Sequence, residues 1–240
     1  MYINNFLYIH IPKTAGLSVE YELNRIYNSY DNNIWYYHII ENVPNIIKYL
    51  FFYCKLFQKI ITYLFYDKYP LENCKFRFNN MATISIHYNI IDYMQYINKT
   101  VFDNMIRFTI IRNPYDRAVS LFRFIYPSFM QDKLNFIKFL NDIKSGKLND
   151  TFFAPQYNYI VDNMGNIMVD NILRFENLNE DWHCFCKKYN IPSMLLPKIN
   201  HNNRNKIDLL DDITKGIIYE IYRIDFIFVR VVIGKCILPY

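Results

Sequence analysis

Near its start the chain reads FLYIHIPKTAGLS over residues 6–18: an apolar, β-favouring run that stops in a loop of small residues and passes at once into a helical pattern. That succession constrains the fold strongly. A strand that turns through a short loop into a helix aims several backbone N–H groups at one point, where the helix N-terminus adds partial positive charge. Residues 12–16 are therefore expected to form an anion cradle. Lys13 places a full positive charge in it, and Thr14 and Ser18 add hydroxyl donors. The loop lacks the Gly-x-x-x-x-Gly-Lys-Ser/Thr spacing of a Walker A sequence. An ordinary strand-to-helix turn with a solvated lysine satisfies the same pattern.

The same grammar recurs about a hundred residues further on. Residues 106–112, IRFTIIR, read as a strand broken by Asn113 and Pro114, and residues 115–126 carry a helical pattern. Arg112 then stands at the C-terminal end of a strand, where open α/β sheets bind their ligands. Ser120 lies one to two turns into the helix. Arginine offers a planar fork of donors suited to a phosphate, and serine adds a hydroxyl. Arg117 is expected to be a solvated helix charge. Two such loops at strand ends call for a ligand with two separate anionic groups.

These residues resemble the carbohydrate sulfotransferases, the group that includes the heparan sulfate 2-O- and 6-O-sulfotransferases. Residues 10–16 are similar to that family's 5′-phosphosulfate loop, and residues 108–120 to its 3′-phosphate motif. The similarity continues through Pro155 and Gln156 with Tyr159, through residues 174–178, and through Leu196 and Pro197 with Asn200; it fades at 222–226. The resemblance implies an α/β fold, a P-loop-like central parallel sheet flanked by helices. It implies sulfuryl transfer from 3′-phosphoadenosine 5′-phosphosulfate (PAPS) to a hydroxyl of a carbohydrate acceptor, by in-line displacement with a histidine base and no metal. PAPS has the two anionic ends that the two loops call for. The implied donor-binding residues are Lys13, Thr14, Ala15, Gly16, Leu17, Ser18, Arg112 and Ser120, with Lys13 and His87 catalytic. His87 closes a short strand expected at 82–87, and an imidazole suits proton abstraction near neutrality. Where the family often carries Thr or Ser this chain has Leu17, which removes a hydroxyl donor but leaves the backbone N–H. A catalytically silent donor- or glycan-binding homologue would keep the same motifs. A P-loop kinase would need a Walker lysine and an acidic magnesium site, and the sequence shows neither.

The remaining residues set the frame. His10 is expected to orient the loop, and Arg174 and Glu176 to pair with each other or brace the site. Val19, Leu23 and Ile26 fall on one face of the first helix. Further elements are expected as helices at 132–145, 180–189 and 208–223 and a strand at 169–175, giving strands that alternate with helices. With 240 residues, 52% of them hydrophobic, the chain is expected to form one domain over 1–240, with an amphipathic helical insertion at about 46–66. In that insertion Lys48, Lys55, Lys59 and Thr62 fall on one narrow stripe. Three lysines argue against a spanning helix. The stretch either packs into the fold with its lysines in water or lies on a membrane surface against anionic lipid. The first strand begins within a few residues of Met1, so no signal peptide or N-terminal anchor is expected, and the chain is expected in the cytoplasm or peripherally on a membrane. A net charge of +5 suits an anionic donor but is too scattered for a nucleic-acid surface. Five cysteines, odd in number and without zinc spacing, are expected to be mostly buried thiols.

Overall fold

Both apolar runs that end in a loop are strands, and they lie side by side. In the computed structural model, which describes residues 2–3, 5–27, 88–192, 195–196 and 209–233, β2 (Phe6–Ile9) pairs in parallel with β3 (Ile106–Ile111), Phe6 opposite Ile106 and Ile9 opposite Thr109. A two-residue strand β1 (Tyr2–Ile3) pairs antiparallel with β2. β4 (Asn171–Arg174) pairs in parallel with β3, Phe108 opposite Asn171 and Ile111 opposite Arg174. The order β1-β2-β3-β4 thus holds three parallel strands, as the alternation of strands and helices requires. The readings at 46–66, at 82–87 with His87, and at Pro197 and Asn200 lie outside the described residues.

A parallel sheet must be covered on both faces, and the pleat sorts the side chains accordingly. Phe6, Tyr8, Phe108 and Ile110 pack with Val19 and Leu23 of α1 (Gly16–Tyr27) and with Trp182 and Phe185 of α6 (Leu178–Lys188). Leu7, Ile9 and Ile111 point the other way. They meet Ile90 and Tyr93 of α2 (Ile90–Tyr96), Phe102 of α3 (Lys99–Asp103) and Phe228 of α8 (Arg223–Ile233). Beside the sheet, α4 (Pro114–Ile125), α5 (Lys133–Lys144) and α7 (Asp212–Ile221) close a helical core on Phe122, Phe136, Phe139 and Ile218.

Local chemistry fixes the helix ends. Asn113 caps α4 by accepting from the Tyr115 N–H, and Pro114 fills the first helical position, where no N–H is needed. The Asp132 carboxylate caps α5, and Gly146, at φ 74°, follows its C-terminal end in left-handed backbone. The helix expected to end the chain at 208–223 forms as α7, Asp212–Ile221, and a further helix, α8, follows it over Arg223–Ile233. At their junction Tyr222 is buried, and its hydroxyl donates to the Phe153 carbonyl at 3.0 Å. Of the described cysteines Cys186 is buried and Cys184 exposed, so the expected burial holds for one of them. Among the described residues no helix is long and apolar enough to cross a membrane.

Candidate functional site

Between β2 and α1 the chain turns through a strained loop. Lys13 and Ala15 both adopt φ 68°, a left-handed conformation that costs a side-chain-bearing residue about 1–2 kcal/mol. Side-chain hydrogen bonds hold the turn. Thr14, fully buried, donates its hydroxyl to the Ile11 carbonyl at 2.9 Å. Arg117 Nε donates to the Pro12 carbonyl at 3.1 Å, and Arg112 Nη1 to the Lys13 carbonyl at 3.2 Å. Beneath the loop, buried His10 sets Nδ1 3.0 Å from Glu20 Oε1. Its ring lies so close to Gly16 that a Cβ there would sit 2.0 Å from Nε2. Gly16 is therefore demanded by close approach. The first turn of α1 carries no acidic residue, so no carboxylate of its own competes for the positive end of the helix dipole. Lys13 extends to place Nζ 4.3 Å from the centroid of the Phe124 ring on α4, a cation–π contact.

Arg112 follows directly on β3. Its guanidinium lies 4.1 Å over the Phe175 ring. Burial lowers its pKa from the usual arginine value, while the charges of Asp116 and Glu176 act against that shift. Its Nε is buried and meets no hydrogen-bond partner among the described residues, a donor that an anion would satisfy. The backbone is held from outside the sheet: Arg112 N–H donates to Gln156 Oε1 at 2.9 Å and Gln156 Nε2 donates to the Arg112 carbonyl at 2.8 Å. The Gln156 and Tyr157 N–H groups in turn donate to the two oxygens of the buried Asp225 carboxylate, each at 2.9 Å. Ser120 is half-buried on α4. It stands three residues after Arg117, which touches Pro12, and four before Phe124, which touches Lys13, so it shares their loop-facing side.

The two loops read from the sequence thus meet, and Arg112 joins them across 99 residues of chain. Several details depart from expectation. Arg117 is not solvated: it is 1% exposed, and its fork is taken by the carbonyls of Pro12, Ala154 and Phe152. It projects toward the loop from the inner face of α4, which its charge alone does not reveal. Thr14, expected to offer its hydroxyl to an anion, donates it inward, which leaves its backbone N–H. Ser18 is buried as well. Arg174 pairs with Asp181, at 2.7 and 2.9 Å, while Glu176 accepts from the Asn113 N–H at 2.6 Å and so braces the second loop. Leu17 lies in the first turn of α1. Gln156, which entered the sequence reading only as part of the resemblance, and Asp225, which did not enter it, hold the Arg112 backbone through these hydrogen bonds. The signal for Asp225 was a lone carboxylate in the apolar run IDFIFV. Among the described residues no group of three or more His, Cys, Asp or Glu side chains is placed to hold a metal ion.

The sequence profile of the sulfotransferase family matches residues 3–228. The chain belongs to the sulfotransferase family. The sulfotransferase match runs from the first strands to α8 and so includes both loops and the Gln156–Asp225 brace. The same sulfotransferase is similar to an uncharacterized protein of Archaeoglobus fulgidus, 33% identical over 104 residues, which is 43% of this chain and 83% of that protein. No solved structure matches it. Family membership points to sulfuryl transfer as the class of chemistry.

Proposed function

We propose that this single-domain enzyme moves a sulfuryl group from PAPS to a hydroxyl of a carbohydrate. The observation that carries the reading is the meeting of two cationic loops at neighbouring strand ends, with Arg112 donating to the Lys13 carbonyl. A donor with two separated anionic groups fits that arrangement, and the buried Nε of Arg112, without a partner among the described residues, fits a phosphate oxygen. Arg112 and Ser120 would hold the 3′-phosphate. Lys13, with the backbone N–H groups of Thr14, Ala15, Gly16 and Leu17 and with Ser18, would hold the 5′-phosphosulfate. PAPS supplies an activated sulfuryl group on a phosphate leaving group. Lys13 steadies the negative charge that grows on the leaving side, from a backbone already fixed in place, so little reorganisation is needed. His87 takes the proton of the acceptor hydroxyl; this role rests on its place in the sequence between the two loops. The carbohydrate acceptor rests on the resemblance of residues 10–16 and 108–120 to carbohydrate sulfotransferases.

Incubation with sulfur-labelled PAPS and a panel of glycans tests the reading. Label transferred to a glycan supports it, whereas tight PAPS binding with no transfer to any acceptor favours a silent homologue. In the same assay His87→Ala is expected to keep donor binding and lose roughly 100- to 10,000-fold in turnover. Turnover that persists with an unchanged pH profile would remove His87 from the mechanism.

A further inference from the structure

Gln156 occupies a place that the proposed chemistry does not use directly. Its side chain is fully buried, yet both ends of the carboxamide are committed to one backbone unit, the N–H and C=O of Arg112. The ladder between β3 and β4 ends at Ile111 and Arg174, so one residue further on the backbone has left the sheet. Partly buried backbone groups left unpaired there would cost up to about as much as a lost hydrogen bond each. Gln156 answers as a strand would, with one acceptor and one donor. It is itself set from below, because Asp225 on α8 accepts from the N–H groups of Gln156 and Tyr157. The series Asp225, Gln156, Arg112, Lys13 is thus continuous in hydrogen bonds from the C-terminal helix to the anion cradle.

We propose that Gln156 is the positioning residue of the Arg112 anion subsite, and that it sets the preference of the site for a nucleotide bearing a 3′-phosphate. The proposal rests on the reading of Arg112 as the 3′-phosphate ligand. Arginine has a long, rotamer-rich side chain, and a fork that matches one phosphate needs a fixed base. Phe175 beneath the guanidinium and the Lys13 carbonyl at Nη1 orient the fork, and Gln156 fixes the backbone from which it springs.

The test is calorimetric titration of adenosine 3′,5′-bisphosphate and adenosine 5′-monophosphate into wild type, Arg112→Ala, Gln156→Met, Gln156→Glu and Asp225→Asn, each with a thermal melt. Gln156→Met loses both hydrogen bonds at nearly constant volume. Gln156→Glu keeps the acceptor for the Arg112 N–H but turns a second oxygen on the Arg112 carbonyl. In both, the ratio of the two affinities is expected to fall by about 5- to 30-fold, through the bisphosphate. Asp225→Asn, which sets an amide donor against one of two N–H groups, should move the ratio the same way by less. A folded Gln156→Met that keeps the wild-type ratio, or weakens both nucleotides equally, would overturn the proposal. If the Gln156 variants do not melt cooperatively, the ratio in Asp225→Asn decides by the same two outcomes. A wild type with no preference for the 3′-phosphate would instead remove the reading of Arg112.

Discussion

Gly16 and Lys13 carry the sharpest consequences at the scale of single residues. A Cβ at Gly16 would lie 2.0 Å from Nε2 of His10, and His10 is itself buried and tied to Glu20. Neither partner can yield without moving the loop or α1. Gly16→Ala is therefore expected to destabilise the protein by about 1–3 kcal/mol, the usual range for forced overpacking, and to weaken donor binding. A thermal melt indistinguishable from wild type, with full transfer, would show that the His10 ring swings aside. For Lys13 the proposed role predicts a loss on the order of 100-fold or more in turnover for Lys13→Ala, because a preorganised charge at the leaving group is removed. Near-wild-type turnover would take Lys13 out of the mechanism. The loop that holds both was legible in the sequence, as small residues between an apolar run and a helical pattern. Arg117 was not. Its place on α4 reads as a surface charge until Pro12, 105 residues away, is brought against it.

Two arginine–aspartate pairs fasten the strands at the scale of elements. Arg107, near the start of β3, holds Asp170 just before β4, and Arg174, at the end of β4, holds Asp181 on α6. Burial alone would raise both carboxyls, but the hydrogen bonds and charge of each arginine outweigh it, and both pKa values lie below the usual aspartate value. A carboxyl whose folded pKa is depressed binds fewer protons in the native state than in the unfolded one. Its stabilisation is present above the unfolded value, about 3.9, and is lost as pH falls through the folded one. Asp150 and Asp225, raised by burial, act in the opposite sense: their contribution falls as pH rises through their folded values. The comparison that isolates the pair is therefore between variants. Urea unfolding at pH 5 and pH 3 should show a smaller acid loss for Asp181→Asn than for wild type, and equal losses would deny the pair its role. The strands themselves were legible as short apolar runs. The second C-terminal helix, α8, was not, because no Gly or Pro marks the junction after α7. At that junction Tyr222 is buried and its hydroxyl meets the Phe153 carbonyl, a partner that only the folded chain supplies.

In the whole molecule the candidate site belongs to no single segment. The loop at 12–18, the end of β3, the inner face of α4, the turn at 156–159 and α8 all contribute, and what joins them is side chain to backbone: Arg112 to Lys13, Arg117 to Pro12, Gln156 to Arg112, Asp225 to Gln156. Sequence patterns place a cationic side chain at each loop. They do not say which carbonyl, a hundred residues away, a given guanidinium will meet. A site so distributed exists only in the folded state, and a ligand that fits it binds that state alone. Stability must then rise by mass action. At a concentration 100 times its dissociation constant, adenosine 3′,5′-bisphosphate should add about 2.7 kcal/mol, which for a chain of this size raises Tm by about 5–10 °C. Adenosine 5′-monophosphate at the same concentration engages the Lys13 loop without the Arg112 subsite and should raise Tm less. In Arg112→Ala the two shifts should converge, because the group that tells the nucleotides apart is gone. Equal shifts in wild type would show that the 3′-phosphate is not held by this site, and the two loops would then serve a ligand with a single anionic end.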